Sequence, residues 1–212
     1  MYIPPAFRDD DLGALHAAIG RAGLATLVTA TAEGLIGTPL PMLLAPEEGP
    51  LGTLYGHVAK ANPQARLAVA GEAMVIFAGP DAYVSPGWYA SKAAHGRVVP
   101  TWNYAAIHVY GAPEFFEAEE RLRDVVTRLT ERHEAGRAEP WAVSDAPEDF
   151  VRRQLRGIVG VRIGIARIDG KRKFSQNQSL ADREGVVRGL GASGEPMAAA
   201  VAAGIPIGGE SA

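Results

Sequence analysis

Apolar positions in this chain fall mostly into short runs, separated by glycine, proline and acidic breaks. Leu12, Leu15 and Ile19 are spaced three and four apart behind Asp9-Asp10-Asp11, which predicts an amphipathic helix with acidic residues at its positive end. Leu24–Ala30 predicts a strand that turns at Thr31–Gly34. Leu35–Leu44 predicts a second strand. Its Pro39 and Pro41 cannot donate to a ladder, so part of one side is expected to stay unpaired. Leu51–His57 and Ala73–Ala78 read as further strands. Val98–Phe116 holds a fifth and a sixth, bent near Gly111-Ala112-Pro113. Glu117–Glu134 reads as a helix, Arg137–Pro147 as a loop and Glu148–Arg156 as a short helix. Ile158–Ile168 alternates as a strand, and Asp169-Gly170 is a turn signal. This order predicts a mostly β protein with flanking helices, built as a small antiparallel barrel and not as a doubly wound sheet.

Composition narrows the picture. At 212 residues and 47% hydrophobic content, one domain with an ample core is expected. Residues 1–190 are assigned to that domain and residues 191–212, rich in Ala and Gly, to a floppy or loosely docked tail. A net charge of -3 gives no footprint for nucleic acid. The absence of cysteine excludes disulfide, zinc-thiolate and iron–sulfur sites. The opening MYIPPAFRDDD has no apolar core like that of a leader, and no apolar span is long enough for a membrane helix, so a cytoplasmic protein is expected.

Gly79–Tyr104 concentrates Tyr83, Trp88, Tyr89, Trp102 and Tyr104 with Lys92, His95 and Arg97. Large rings on a connecting segment call for a flat ligand, a subunit interface or a lid on the core. Tyr55–Pro63 ends a strand at His57 and opens a helix at Asn62-Pro63. With Lys60 nearby, a phosphate site at a helix N-terminus competes with a merely capped helix. Along Val98–Tyr110, alternation puts Tyr104, Ala106, His108 and Tyr110 on one face and Ala105, Ile107 and Val109 on the core face. Lys173–Asn177 groups polar side chains that suit either a heteroaromatic edge or a polar turn. Gly189–Gly194 matches a dinucleotide fingerprint but lacks room for the βαβ unit that the motif needs. The five histidines show no metal spacing.

MYIPPAF, GHVAKANP, GPDAYVSPGWYASKAAHGRVVPTWNY, TERHEAGRAEPWAVSDAP and KFSQNQ together resemble the PaiB family over residues 1 to about 190. Its members are FMN-binding proteins described as negative transcriptional regulators. The resemblance implies a six-stranded antiparallel split β-barrel like that of pyridoxamine phosphate oxidases, usually a homodimer with flavin at the subunit interface. It implies an FMN phosphate at His57, Lys60 and Asn62, and the isoalloxazine edge along Thr38, Pro39, Leu40 and Pro41. It also implies a contribution from the second subunit by Trp102 and Asn103 and by Lys173, Ser175, Gln176 and Asn177.

Three functions follow from the resemblance: a flavin-dependent redox protein, a transcriptional regulator, and a haem-binding or haem-degrading relative using His95 or His108. No side chain is singled out as a catalytic acid or base. The acidic charge argues against direct DNA binding.

Overall fold

A computed structural model describes residues 1–208. The strands are β1 Arg8–Asp9, β2 Ala25–Thr31, β3 Gly34–Leu40, β4 Leu43–Ala45, β5 Thr53–Ala59, β6 Ala73–Val84, β7 Thr101–Gly111, β8 Pro113–Phe116, β9 Ile158–Gly164 and β10 Arg167–Lys173. The helices are α1 Leu12–Arg21, α2 Ala90–His95, α3 Glu119–Glu134, α4 Glu148–Leu155, α5 Leu180–Ser193 and α6 Ala198–Gly204. The expected mostly β architecture with flanking helices is present. In place of one six-stranded barrel, the strands form a six-stranded sheet, ordered β1-β10-β7-β6-β2-β3, and a four-stranded sheet, ordered β4-β5-β9-β8. The β2–β3 and β5–β9 ladders run antiparallel over seven residue pairs each.

The chain divides into two compact units. One holds Met1–Asp11, Ala78–Ile107 and the chain from Asp169; the other holds Leu12–Phe77 and His108–Ile168. In the second unit, Leu122, Val125 and Leu129 of α3 pack with Val151 and Leu155 of α4 and Phe116 of β8. Arg132 of α3 donates to the carbonyls of Gly20, Ala22 and Met42, which fastens α3 to the C-terminal end of α1 and to the β3–β4 connection. In the first unit, Ala82, Val84, Tyr89, Phe174, Val186, Leu190, Val201 and Ile205 form a buried cluster.

Four local expectations change. The Leu35–Leu44 run is broken into β3 and β4, so Pro39 lies in a strand and Pro41 in the break. The expectation of a partly unpaired strand holds, because β3 is the edge of its sheet. The Ala73–Ala78 strand continues six residues further to Val84, burying Ala82 and Val84. Asp169-Gly170 is not a turn. Gly170 pairs with Asp9 and Lys171 with Arg8, while the Met1 ammonium donates to the Asp169 carboxylate at 2.9 Å. Finally, the segment expected to be loose contains α6, with Ala198 and Val201 buried; residues 209–212 of the proposed tail lie outside the described residues. Small side chains carry little hydrophobic periodicity, yet they let a helix approach its neighbour closely.

Candidate functional site

The turn after β5 holds Lys60 and Asn62 of the predicted cofactor residues, and Thr38 of β3 is bonded to it. Asn62 caps the next turn by accepting from the Gln64 backbone N–H at 2.9 Å, and its Nδ2 donates to the Thr38 hydroxyl at 2.9 Å. Thr38 and Asn62 are thus brought together, joining the edge strand β3 to this turn. The expected helix is only one 3₁₀ turn, Pro63–Ala65. Three residues sum too few peptide dipoles for a helix-terminus anion site, so that part of the sequence argument falls. Lys60 reaches the Glu117 carboxylate at 2.5 Å, with both side chains about half exposed. His57, on β5, is half-buried and its Nδ1 has no hydrogen-bond partner. Burial pushes its imidazole pKa down, favouring the neutral ring.

Gln64, next to this turn, was not anticipated. Fully buried, it donates through Nε2 toward the Leu27 carbonyl, the Thr29 hydroxyl and the Ile36 carbonyl, at 3.0 to 3.2 Å. Three acceptors on one side fix the amide orientation. Pro41 departs from the expected ligand-facing edge. A Cβ built on Gly56 of β5 would stand 3.1 Å from the Pro41 carbonyl oxygen and 2.6 Å from the Met42 sulfur, so this carbonyl faces protein. Leu40 is buried, leaving Thr38 and Pro39 as the accessible part of the edge.

The other predicted group lies in the first unit, around a cavity of about 420 Å³. Asn103, Lys173, Ser175 and Asn177 line it. Asn103 is fully buried and its amide brackets the Ser175 hydroxyl, donating at 2.9 Å and accepting at 3.3 Å. Ser175 has φ 57, the one non-glycine residue with positive φ among the described residues. Lys173 donates to the Thr101 hydroxyl. Gln176 is turned back on its own loop, accepting from Phe174 N–H and donating to the Arg172 carbonyl. Trp102 and Asn103 were expected to act together. Successive strand residues face opposite sides, so Trp102 is 52% exposed while Asn103 is buried.

Asp182 joins the cavity without having been predicted. It accepts from the Ser91 backbone N–H at 2.9 Å and from the Ser179 hydroxyl at 3.0 Å. Burial pushes its carboxyl up, but these hydrogen bonds outweigh it and leave the pKa lowered. Tyr89, also on the wall, has its phenol pushed up by burial and by the charge of Asp182. The sequence did carry a sign of Asp182: Ser179-Leu-Ala-Asp182 is a capping-box pattern, and Ser179 caps α5. The proposed haem ligands make local contacts. His95 Nδ1 accepts from the Arg97 N–H at 3.0 Å, and His108 Nδ1 lies 3.4 Å from the Tyr110 hydroxyl.

Residues 1–167 match the family described as "Putative FMN-binding domain". The chain belongs to the PaiB-like family of FMN-binding proteins. Membership assigns FMN as the cofactor. The Bacillus subtilis protease synthase and sporulation protein PAI 2 is 32% identical over 191 residues, covering 90% of this chain and 89% of its own. An uncharacterized protein of Aspergillus fumigatus is 35% identical over 217 residues, covering 86% and 83%. Among solved structures, the FAD and heme binding protein from Mycobacterium smegmatis superposes with a TM-score of 0.56 at 18% identity, covering 78% of this chain and 73% of its own. At that identity the likeness is one of fold.

The family's cofactor fits the residues after β5 in one clear respect. A buried ring nitrogen without a partner is unusual in a folded protein and is the kind of group a ligand satisfies. Lys60 is compatible as well, because an exposed ion pair is worth only about 0–1 kcal/mol and a phosphate dianion can compete with Glu117 for it.

Proposed function

We propose that this chain is an FMN-binding redox protein whose flavin phosphate is held at the turn after β5. Lys60 would supply the cation, Asn62 and Thr38 hydrogen bonds, and His57 a neutral ring nitrogen. The Thr38–Pro39 edge of β3 would carry the isoalloxazine rim. The observation that carries this reading is the unpartnered His57 Nδ1 beside that turn, within the stretch matched by the FMN-binding family. Bound FMN supplies one- and two-electron redox chemistry, and the protein's part is position and electrostatics. The two sheets would correspond to the split barrel that the family resemblance implies.

A homodimer is part of the proposal. Its support is the aromatic ridge of the first unit, where Tyr83 meets the exposed Trp102 edge-on at 6.3 Å. Direct DNA binding is disfavoured. The most basic segment, at Arg152 and Arg153, is neutralised by Glu148, Glu119 and Asp149. Any regulatory effect of this chain would then be indirect.

Titrating the purified protein with FMN tests the reading. Flavin fluorescence should be quenched, and FMN at a hundredfold excess over Kd should stabilise the fold by about 2.7 kcal/mol. Absence of both signals at saturating FMN removes the proposal.

A further inference from the structure

The cavity of the first unit has a construction that flavin binding at the β5 turn does not use. Its floor is polar and buried: Asn103, Ser175 and Asp182 are each less than 5% exposed. Buried polar side chains are costly unless satisfied, and here they are tied to one another and to backbone. Ser175 also holds a left-handed backbone, a strain that tends to sit at functional positions. Above this floor stand Arg97, Lys173 and His95. No carboxylate lies within ion-pair distance of the three among the described residues, whereas most other arginines of the chain have acidic partners. The single acid, Asp182, is already held by Ser91 and Ser179. Because His95 Nδ1 accepts the Arg97 N–H, a neutral ring carries its proton on Nε2 and that nitrogen remains a donor. Tyr89, Val98 and Val99 add apolar wall.

We infer that this cavity binds a small organic anion, a carboxylic acid or phosphate ester, through Arg97 and Lys173 over the Asn103–Ser175 floor. Two permanent cations facing one satisfied carboxylate select a negative ligand, and the guanidinium suits a planar or tetrahedral oxyanion bidentately. The apolar wall selects an organic body over a bare ion. A volume near 420 Å³ lies in the range of small-molecule sites. Lys173, Ser175 and Asp182 lie beyond residue 167, where the family match ends. The family resemblance gives Asn103, Lys173, Ser175 and Asn177 to the flavin of a second subunit, whereas this inference gives them to a separate anion, and competition with FMN distinguishes the two.

The full chain, with and without saturating FMN, is titrated with inorganic phosphate and separately with malonate, against sodium chloride of matched ionic strength. Binding is read by calorimetry. At least one oxyanion should bind saturably, beyond any chloride response. Phosphate alone would point to phosphate esters and malonate alone to carboxylic acids. Arg97→Ala and Lys173→Met should each weaken binding about tenfold or more, as loss of a charge-assisted contact does. Arg153→Ala, at an exposed ion pair that does not line the cavity, should leave it unchanged. Arg97 is exposed, so its removal leaves the fold intact and keeps the test decisive. The inference fails if neither oxyanion saturates, if both variants bind like the parent, or if Arg153→Ala weakens binding equally. It also fails if FMN displaces the anion competitively, which would assign the cavity to the flavin.

Discussion

Trp88 lies directly against Gly189: a Cβ at Gly189 would stand 2.1 Å from ring atom Cδ2. One turn earlier, a Cβ at Gly185 would meet the Trp88 carbonyl oxygen at 2.0 Å. The two glycines, four apart on α5, open a groove into which the Pro86–Trp88 turn fits. This part of the aromatic segment is therefore packed against the protein's own helix.

Gly189→Ala should destabilise the protein. Alanine gains up to about 1 kcal/mol of helix propensity, but displacing a packed indole costs about 1–3 kcal/mol. Gly191→Ala, on the same helix with nothing within 4 Å of its Cβ position, should stabilise by about 0.5–1 kcal/mol. Urea midpoints of the pair check this; a Gly189→Ala protein as stable as the parent contradicts the groove.

Gln64→Leu should lose about 1–3 kcal/mol, because the Leu27 and Ile36 carbonyls lose their donor. Gln64→Glu should lose more at neutral pH, where a carboxylate would face three acceptors. Burial would raise that new carboxyl above the ordinary glutamate value of about 4.3. The stability deficit should then shrink as pH falls toward 4 and grow as pH rises, the reverse of ordinary acid denaturation. Chemical denaturation across pH 4–8 measures it.

Asp182 should contribute to the acid limb. Its folded pKa is lowered, so its contribution is complete above the unfolded value of about 3.9 and is lost as pH falls through the folded value. Asp182→Asn should flatten the stability profile below about pH 4 while lowering the neutral plateau. An unchanged acid limb would show that the Ser91 and Ser179 bonds do not discriminate the charged form.

Lys60 and Glu117 should act on flavin affinity in opposite directions. Lys60→Ala should weaken FMN by about tenfold and riboflavin much less, because only FMN carries the phosphate. Glu117→Gln should tighten FMN by releasing the lysine. Fluorescence titration with both flavins separates the outcomes; equal losses for FMN and riboflavin refute the phosphate role.

Much of the fold was legible because alternation and turn residues are local. The strands around Leu27, Leu54 and Val161 and the face Leu122–Val125–Leu129 follow from period 2 and period 3.6. The Asp169-Gly170 turn misled because a turn propensity yields when both neighbours of a chain supply partners, here Met1 and β1. Helix α5 escaped notice because its buried face uses Gly185 and Asp182 as well as Val186 and Leu190, which erases the apolar stripe. The candidate sites were legible as residue types and not as geometry. Nothing local says that Lys60 meets Glu117, 57 residues away.

By itself, the sequence determined the mostly β class, the principal strands and helices and the family, since these rest on local periodicity and on long specific motifs. Only the tertiary structure decided that Trp88 is a packing residue, seated against Gly185 and Gly189. It also brought Asn103, Lys173 and Asp182 around one cavity. Those relations join residues about 70 to 100 positions apart, and which distant segments meet depends on how the whole chain buries its apolar surface at once.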